Sequence, residues 1–144
     1  MLKLHPQLLK DCKVIGRFEL CHVLLMLDAN YPWCVLVPDR ENITEIFELT
    51  ESEQMQLTRE SVCLSKSLSR LFSADKMNVA AIGNLVPQLH VHHVVRFQND
   101  IAWPKPVWGT YPKKGYSDVA LADIEEKIVS MLQTYCETFT AING

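Results

Sequence analysis

The stretch Gln88-Leu89-His90-Val91-His92-His93-Val94-Val95-Arg96 constrains most sharply what this chain can fold into. Val and Leu stand between its polar residues, which suits a β-strand. Successive strand side chains point to opposite faces. A regular strand therefore puts Gln88, His90, His92 and Arg96 on one face and Leu89, Val91 and His93 on the other. Neighbours on one face lie roughly 7 Å apart, so two imidazoles and an amide would line a common space.

Three readings of that row stand open. Imidazole is a metal ligand, and two at i and i+2 can reach one ion, although no third or fourth ligand follows at a set spacing. One imidazole can instead attack an electrophile while its neighbours hold the surrounding anionic group. In the third reading the histidines sit on a half-exposed strand face. The H-x-H spacing alone does not choose among them.

The chain has 144 residues, 48% of them hydrophobic, which fits one globular domain over residues 1–144 with a sizeable core. Its formal charge of −3 disfavours a general nucleic-acid binder. No run approaches ~18 continuous apolar residues, so no membrane span is expected. The first residues lead into polar sequence without a signal-peptide pattern. Cys12, Cys21, Cys34, Cys63 and Cys136 are odd in number, scattered and free of C-x-x-C. They read as reduced thiols of a cytosolic protein, packed as small hydrophobes.

In order along the chain, Pro6 to Cys12 suits a short helix or turn with Pro at its start. Lys13 to Leu20 begins the sheet region. Cys21 to Leu27 and Trp33 to Val37 read as an antiparallel strand pair around an Asp, Asn and Pro turn. Thr50 and Glu53 form a capping box for a helix running to about Phe72, whose stripe of Leu57, Leu64, Leu68 and Leu71 is core. Lys76 to Ile82 is a further strand, broken by Gly83-Asn84. The segment after Arg96 is long and rich in Pro and Trp, and reads either as a wrap over the domain or as a binding element. Ser117 caps a last helix with Leu121, Ile124, Ile128, Met131, Leu132, Tyr135 and Phe139 on its apolar face.

The run from Gln88 to Val94 resembles the histidine-triad motif, His-φ-His-φ-His-φ-φ. The upstream strand and Gly83-Asn84, the downstream Trp103-Pro104, and Leu27-Asp28 followed by Val35-Leu36-Val37-Pro38 resemble the same family. The combination is most similar to a bacterial subgroup of histidine-triad hydrolases. The resemblance implies an α+β fold: a mostly antiparallel sheet of about five strands, one long helix packed on it, and a C-terminal helix. It implies a cytoplasmic two-fold homodimer that binds nucleotides and cleaves at the α-phosphorus of dinucleoside polyphosphates, nucleoside polyphosphates or phosphoramidates. No cofactor or metal ligand set belongs to the motif, which leaves room for a divalent cation arriving with a polyphosphate substrate.

The resemblance implies that His90 is the nucleophile and that His92 contacts the phosphate or leaving group. Gln88 replaces the first histidine of the motif, and an amide cannot act as an acid near neutral pH. Asn84 falls at a polar position near the phosphate, Asn78 at another polar position on the preceding strand, Asp28 at the ribose-binding position, and Trp103 in the Trp-Pro pair of the nucleotide-binding branch; Asn78, Asn84, Asp28 and Trp103 are the expected substrate-binding residues. Leu85 stands where several relatives carry a hydroxyl. The chemistry is coherent: a neutral His90 attacks, His92 as an imidazolium and the Gln88 and Asn84 amides face the phosphate oxygens, and backbone N–H groups around Gly83 add donors. His93 faces away as a structural residue. Arg96 reads first as a surface ion pair and second as a contact for a distal phosphate. The alternative function is a nucleotide-binding module with little or no turnover.

Overall fold

The computed structural model describes residues 2–142. The elements are α1 (Pro6–Asp11), β1 (Cys12–Arg17), β2 (Cys21–Met26), β3 (Trp33–Pro38), α2 (Glu51–Phe72), β4 (Lys76–Ala80), β5 (Val91–Arg96), α3 (Asp118–Tyr135) and β6 (Thr140–Ala141), with a single 3-10 turn at Ile46–Glu48. The strands form one six-stranded sheet in the order β4-β5-β3-β2-β1-β6. Every pairing is antiparallel. This is the α+β histidine-triad-like architecture expected, with one short strand more than the sequence suggested.

The helix boundaries follow local chemistry. Thr50 Oγ1 accepts from the Glu53 N–H while the Glu53 carboxylate accepts from the Thr50 N–H, a reciprocal cap that satisfies two otherwise orphaned donors. Ser117 Oγ accepts from the Ala120 N–H and starts α3. At α1, Pro6 opens the helix and the His5 ring accepts from the Gln7 N–H.

The period-two pattern divides the core between the two sheet faces. Cys21, Val23 and Leu25, Cys34 and Leu36, and Val91 and Val95 pack with Leu57, Leu64 and Leu68 of α2 and Ile128 and Leu132 of α3. Leu24, Trp33, Val35, Val37 and Val94 lie in a second cluster with Leu8, Tyr31, Ala102 and Val107. The Pro- and Trp-rich segment after β5 is thus the cover of the second face, the role that loops of this length commonly take. A buried carboxylate locks the β1–β2 turn to the first face: Glu60 accepts from the backbone N–H groups of Leu20 and Cys21, both at 2.8 Å. At the far edge, β1 bulges between Val14 and Gly16, and a Cβ on Gly16 would lie 2.5 Å from the Phe139 ring and the Thr140 carbonyl. Only glycine permits that approach.

Three expectations are corrected. The His-bearing strand starts at Val91, not Gln88. Leu36 pairs Val91, and β3 then ends at Pro38, which has no N–H to extend the ladder. The helix α3 stops at Tyr135, with Cys136 extended. Phe139 lies beyond the helix and reaches the core from the following turn, edge-on to Phe18 at 5.6 Å. The thiols are not all free: Cys63 and Cys136 form a disulfide across a sequence separation of 73, because packing of α2 against α3 brings their Cα atoms to 6.2 Å. Cys12, Cys21 and Cys34 are free and buried. No helix of the described residues is long and apolar enough to cross a membrane.

Candidate active site

The hydrogen bonds at the mouth of β5 fix the proton positions on three histidines. His90 Nδ1 lies 2.7 Å from the Gln88 carbonyl oxygen. A carbonyl can only accept, so Nδ1 carries a proton, and in the neutral ring it is Nε2 that holds the lone pair. The ring borders a cavity of about 560 Å³, lined also by Thr44, Ile46, Phe47, Gln54 and Gly83.

His92 carries the opposite tautomer. The Trp33 indole N–H donates to its Nδ1 at 3.0 Å. Indole is only a donor, so Nδ1 holds the lone pair and the proton of the neutral ring sits on Nε2. Trp33, Trp108 and His90 surround the ring edge-on, with centroids at 5.5, 5.2 and 4.9 Å. Burial, reinforced by His90 and His93, pushes the His92 pKa down to about 3. The expected imidazolium is therefore a neutral imidazole, because an apolar indole enclosure disfavours the charged form.

His93 faces the helices, as its parity requires. Its Nδ1 donates to the Val91 carbonyl at 3.0 Å, and its Nε2 accepts from the Ser61 hydroxyl at 2.7 Å. Burial pushes its pKa down to about 4 despite the Val91 bond, which acts in the other direction.

Gln88 precedes the strand and lines the same cavity as His90, with its amide engaged by the N-terminal segment. Its Oε1 accepts from the His5 N–H at 2.8 Å, and its Nε2 donates to the Lys3 carbonyl at 3.2 Å. The amide thus ties the N-terminal segment beside the site. Gly83 has φ of +69°, and the turn leaves Asn84 exposed and Leu85 92% exposed. Phe47 is 78% exposed on the cavity's apolar side.

The remaining candidates have internal partners. Asp28 is buried at the β2–β3 turn, where Oδ1 accepts from the N–H groups of Asn30 and Lys114 at 3.0 and 3.3 Å. Asn78 Oδ1 accepts from Arg96 at 2.8 Å. Arg96 shares the sheet face of His92, yet it is 1% exposed and paired with Asp100. The expected surface ion pair is therefore a buried one, closed over when the segment after β5 folds back on the sheet. The Trp103 ring stacks against the Arg96 guanidinium at 5.5 Å. Trp108 is the loop indole that meets His92. Among the described residues, no group of three or more His, Cys, Asp and Glu side chains is arranged to hold a metal ion.

The HIT domain family matches residues 7–99, more than half of the chain and the whole of this histidine cluster. The chain belongs to the histidine-triad family. Solved structures agree in sequence and shape. A histidine triad protein from Marinobacter aquaeolei VT8 is 46% identical with a TM-score of 0.90, over 94% of this chain and 99% of that one. One from Bradyrhizobium japonicum is 41% identical at a TM-score of 0.88, over 90% and 96%. A third, from Sinorhizobium meliloti 1021, is 37% identical at 0.89, over 92% and 98%. No curated protein matches the chain closely enough to count as a relative.

Within this histidine-triad site, Trp33 and Trp108 are the residues that sequence reasoning missed. A signal was present: a buried indole N–H requires an acceptor, and the strand preceding Pro38 carries Trp33 on the sheet face that β5 shares. Ser61 gave no comparable signal, since one serine on a long helix faces His93 only through helix–sheet packing.

Proposed function

We propose that this histidine-triad protein is a nucleotide hydrolase or transferase that cleaves at the α-phosphorus of a nucleoside or dinucleoside polyphosphate. The observation that carries the reading is the His90 tautomer. Donation of Nδ1–H to the Gln88 carbonyl leaves Nε2 nucleophilic on a ring that borders a cavity. In the first step His90 Nε2 bonds to the α-phosphorus, the bond to the bridging oxygen breaks, and its electron pair leaves with the departing phosphate chain. The positive charge left on the ring is stabilised through Nδ1–H by the Gln88 carbonyl. In the second step water attacks the phosphorus, the P–N bond breaks, and its pair returns to Nε2, with the proton of water going to solvent. Splitting the displacement in two lowers each barrier. Ile46, Phe47 and Ile82 offer an apolar wall for a base, and backbone N–H groups near Gly83 suit phosphate oxygens.

A two-fold homodimer is part of the proposal. The outer side of β4 ends the sheet, and Val79 on it is half exposed, an edge that proteins commonly cover. Sedimentation as a monomer at micromolar concentration would overturn it. The competing reading, a binding module without turnover, draws on the engaged Gln88 amide, which supplies no titrating group. A panel of nucleotides assayed for nucleoside monophosphate release decides. Release by the parent and its loss in His90→Asn supports the enzyme; binding without release supports the module.

A further inference from the structure

We propose that Trp33 is a positioning residue whose indole N–H fixes His92 as a neutral Nε2–H donor, so that the site favours leaving groups that depart without a proton. The selectivity clause rests on the proposed cleavage reaction; the positioning clause does not. The geometry is specific. The Trp33 N–H occupies His92 Nδ1 at 3.0 Å, and Trp33 and Trp108 flank the ring from β3 and from the segment after β5. The titratable groups that face His92 are His90 on the same sheet face and its chain neighbour His93 on the other, and both bear down on its pKa. Among the described residues, no carboxylate pairs with His92 to favour a proton.

A ring capped in this way has one nitrogen left, and that nitrogen already bears hydrogen. It can donate a hydrogen bond to a phosphate oxygen but cannot deliver a proton to a leaving group near neutral pH. Gln88 cannot either. When His90 Nε2 displaces a phosphate chain, the bridging P–O bond breaks and the electron pair leaves on an oxygen that is stable as an anion. When it displaces an alkylamine, the P–N pair would leave as an amide anion unless protonated. Neither His92 nor Gln88 can supply that proton, and a positioned acid is worth roughly 10²–10⁴-fold. The substrate class that follows is the phosphoanhydride, with alkyl phosphoramidates discriminated against.

The test combines nitrogen NMR of the histidine rings with kinetics on diadenosine tetraphosphate and an adenosine 5′-(N-alkyl)phosphoramidate. The parent should show His92 with hydrogen on Nε2 and a bonded lone pair on Nδ1, unchanged from pH 5 to 8. Its kcat/KM should favour the tetraphosphate by about 10²-fold or more. In Trp33→Phe, His92 should become a tautomer mixture, and the preference should shrink by about tenfold. Hydrogen on Nδ1 in the parent, or an unchanged ring in a folded Trp33→Phe, overturns the positioning role. Equal cleavage of both substrates overturns the selectivity. Cleavage of neither refutes the reaction itself and the selectivity with it, while the NMR still decides the role of Trp33. The parent measurements stand even where Trp33→Phe fails to fold.

Discussion

Asp100→Asn should destabilise this protein far more than a one-atom exchange suggests. Arg96 and Asp100 face each other with side chains only 2% and 4% exposed. Asp100 Oδ2 accepts from Arg96 Nε at 2.8 Å and the Phe97 N–H at 3.0 Å. Its Oδ1 accepts from Arg96 Nη2, the Ala102 N–H and the Trp103 N–H at 3.1, 3.1 and 2.8 Å. An asparagine keeps one acceptor and turns an NH2 toward two donors, leaving the guanidinium buried without its counter-charge. Breaking a buried pair from one side costs about 3–5 kcal/mol. With about 2.1 cal/mol/K of unfolding entropy per residue, that is a Tm loss of roughly 10–17 °C.

The same pair predicts an acid limb. Burial alone would raise the Asp100 carboxyl, but the Arg96 guanidinium and the Phe97 and Trp103 N–H groups outweigh it and hold the pKa below the ordinary carboxylate range. A carboxyl depressed on folding stabilises above its unfolded pKa, near 3.9, and loses that contribution as pH falls through the folded value. Urea unfolding followed by tryptophan fluorescence reads both effects. A loss under about 1 kcal/mol in Asp100→Asn, the range of a surface pair, would refute the reasoning, as would an acid limb unchanged in that variant.

Other outcomes follow from the same geometry. His90→Asn should lower nucleotide turnover by at least about 10³-fold with nucleotide binding retained; near-parent turnover removes His90 as nucleophile. Gln88→Leu deletes two hydrogen bonds to the N-terminal segment, so amide exchange at residues 3–5 should accelerate, and kcat should fall more than KM changes; parent-like exchange would make the tether irrelevant. Reduction of Cys63–Cys136 should cost up to about 4 kcal/mol by the loop-entropy relation for a separation of 73, read as a lower urea midpoint with reductant; an unchanged midpoint contradicts it. His92 and His93 are held neutral, at about 3 and about 4, while unfolded imidazoles protonate below about 6.5. Stability should therefore decline as pH drops from about 6.5 toward 4, and a flat midpoint across that window would show the rings charged in the fold.

Local chemistry was legible in the sequence wherever a residue's role depends on its near neighbours. The Thr50–Glu53 cap, the Ser117 cap, the strand pair around Asp28 and the period-two alternation of β3 and β5 all rest on interactions within a few residues. The histidine row, too, announced its chemistry, since His90, His92 and His93 are close in sequence and alternate faces by strand parity. What the tertiary structure alone decided depends on groups that meet across long separations. Trp33 reaches His92 across 59 residues, Gln88 is drawn to Lys3 and His5, and Cys63 finds Cys136. Of these, the Trp33 contact determines which nitrogen of His92 carries the proton, whereas His90 and His93 are each held by a carbonyl two residues upstream. A motif specifies that an imidazole is present; its protonation is set by desolvation and by the donor or acceptor beside each nitrogen, which here come from β3, from the backbone before β5 and from the loop that covers the sheet.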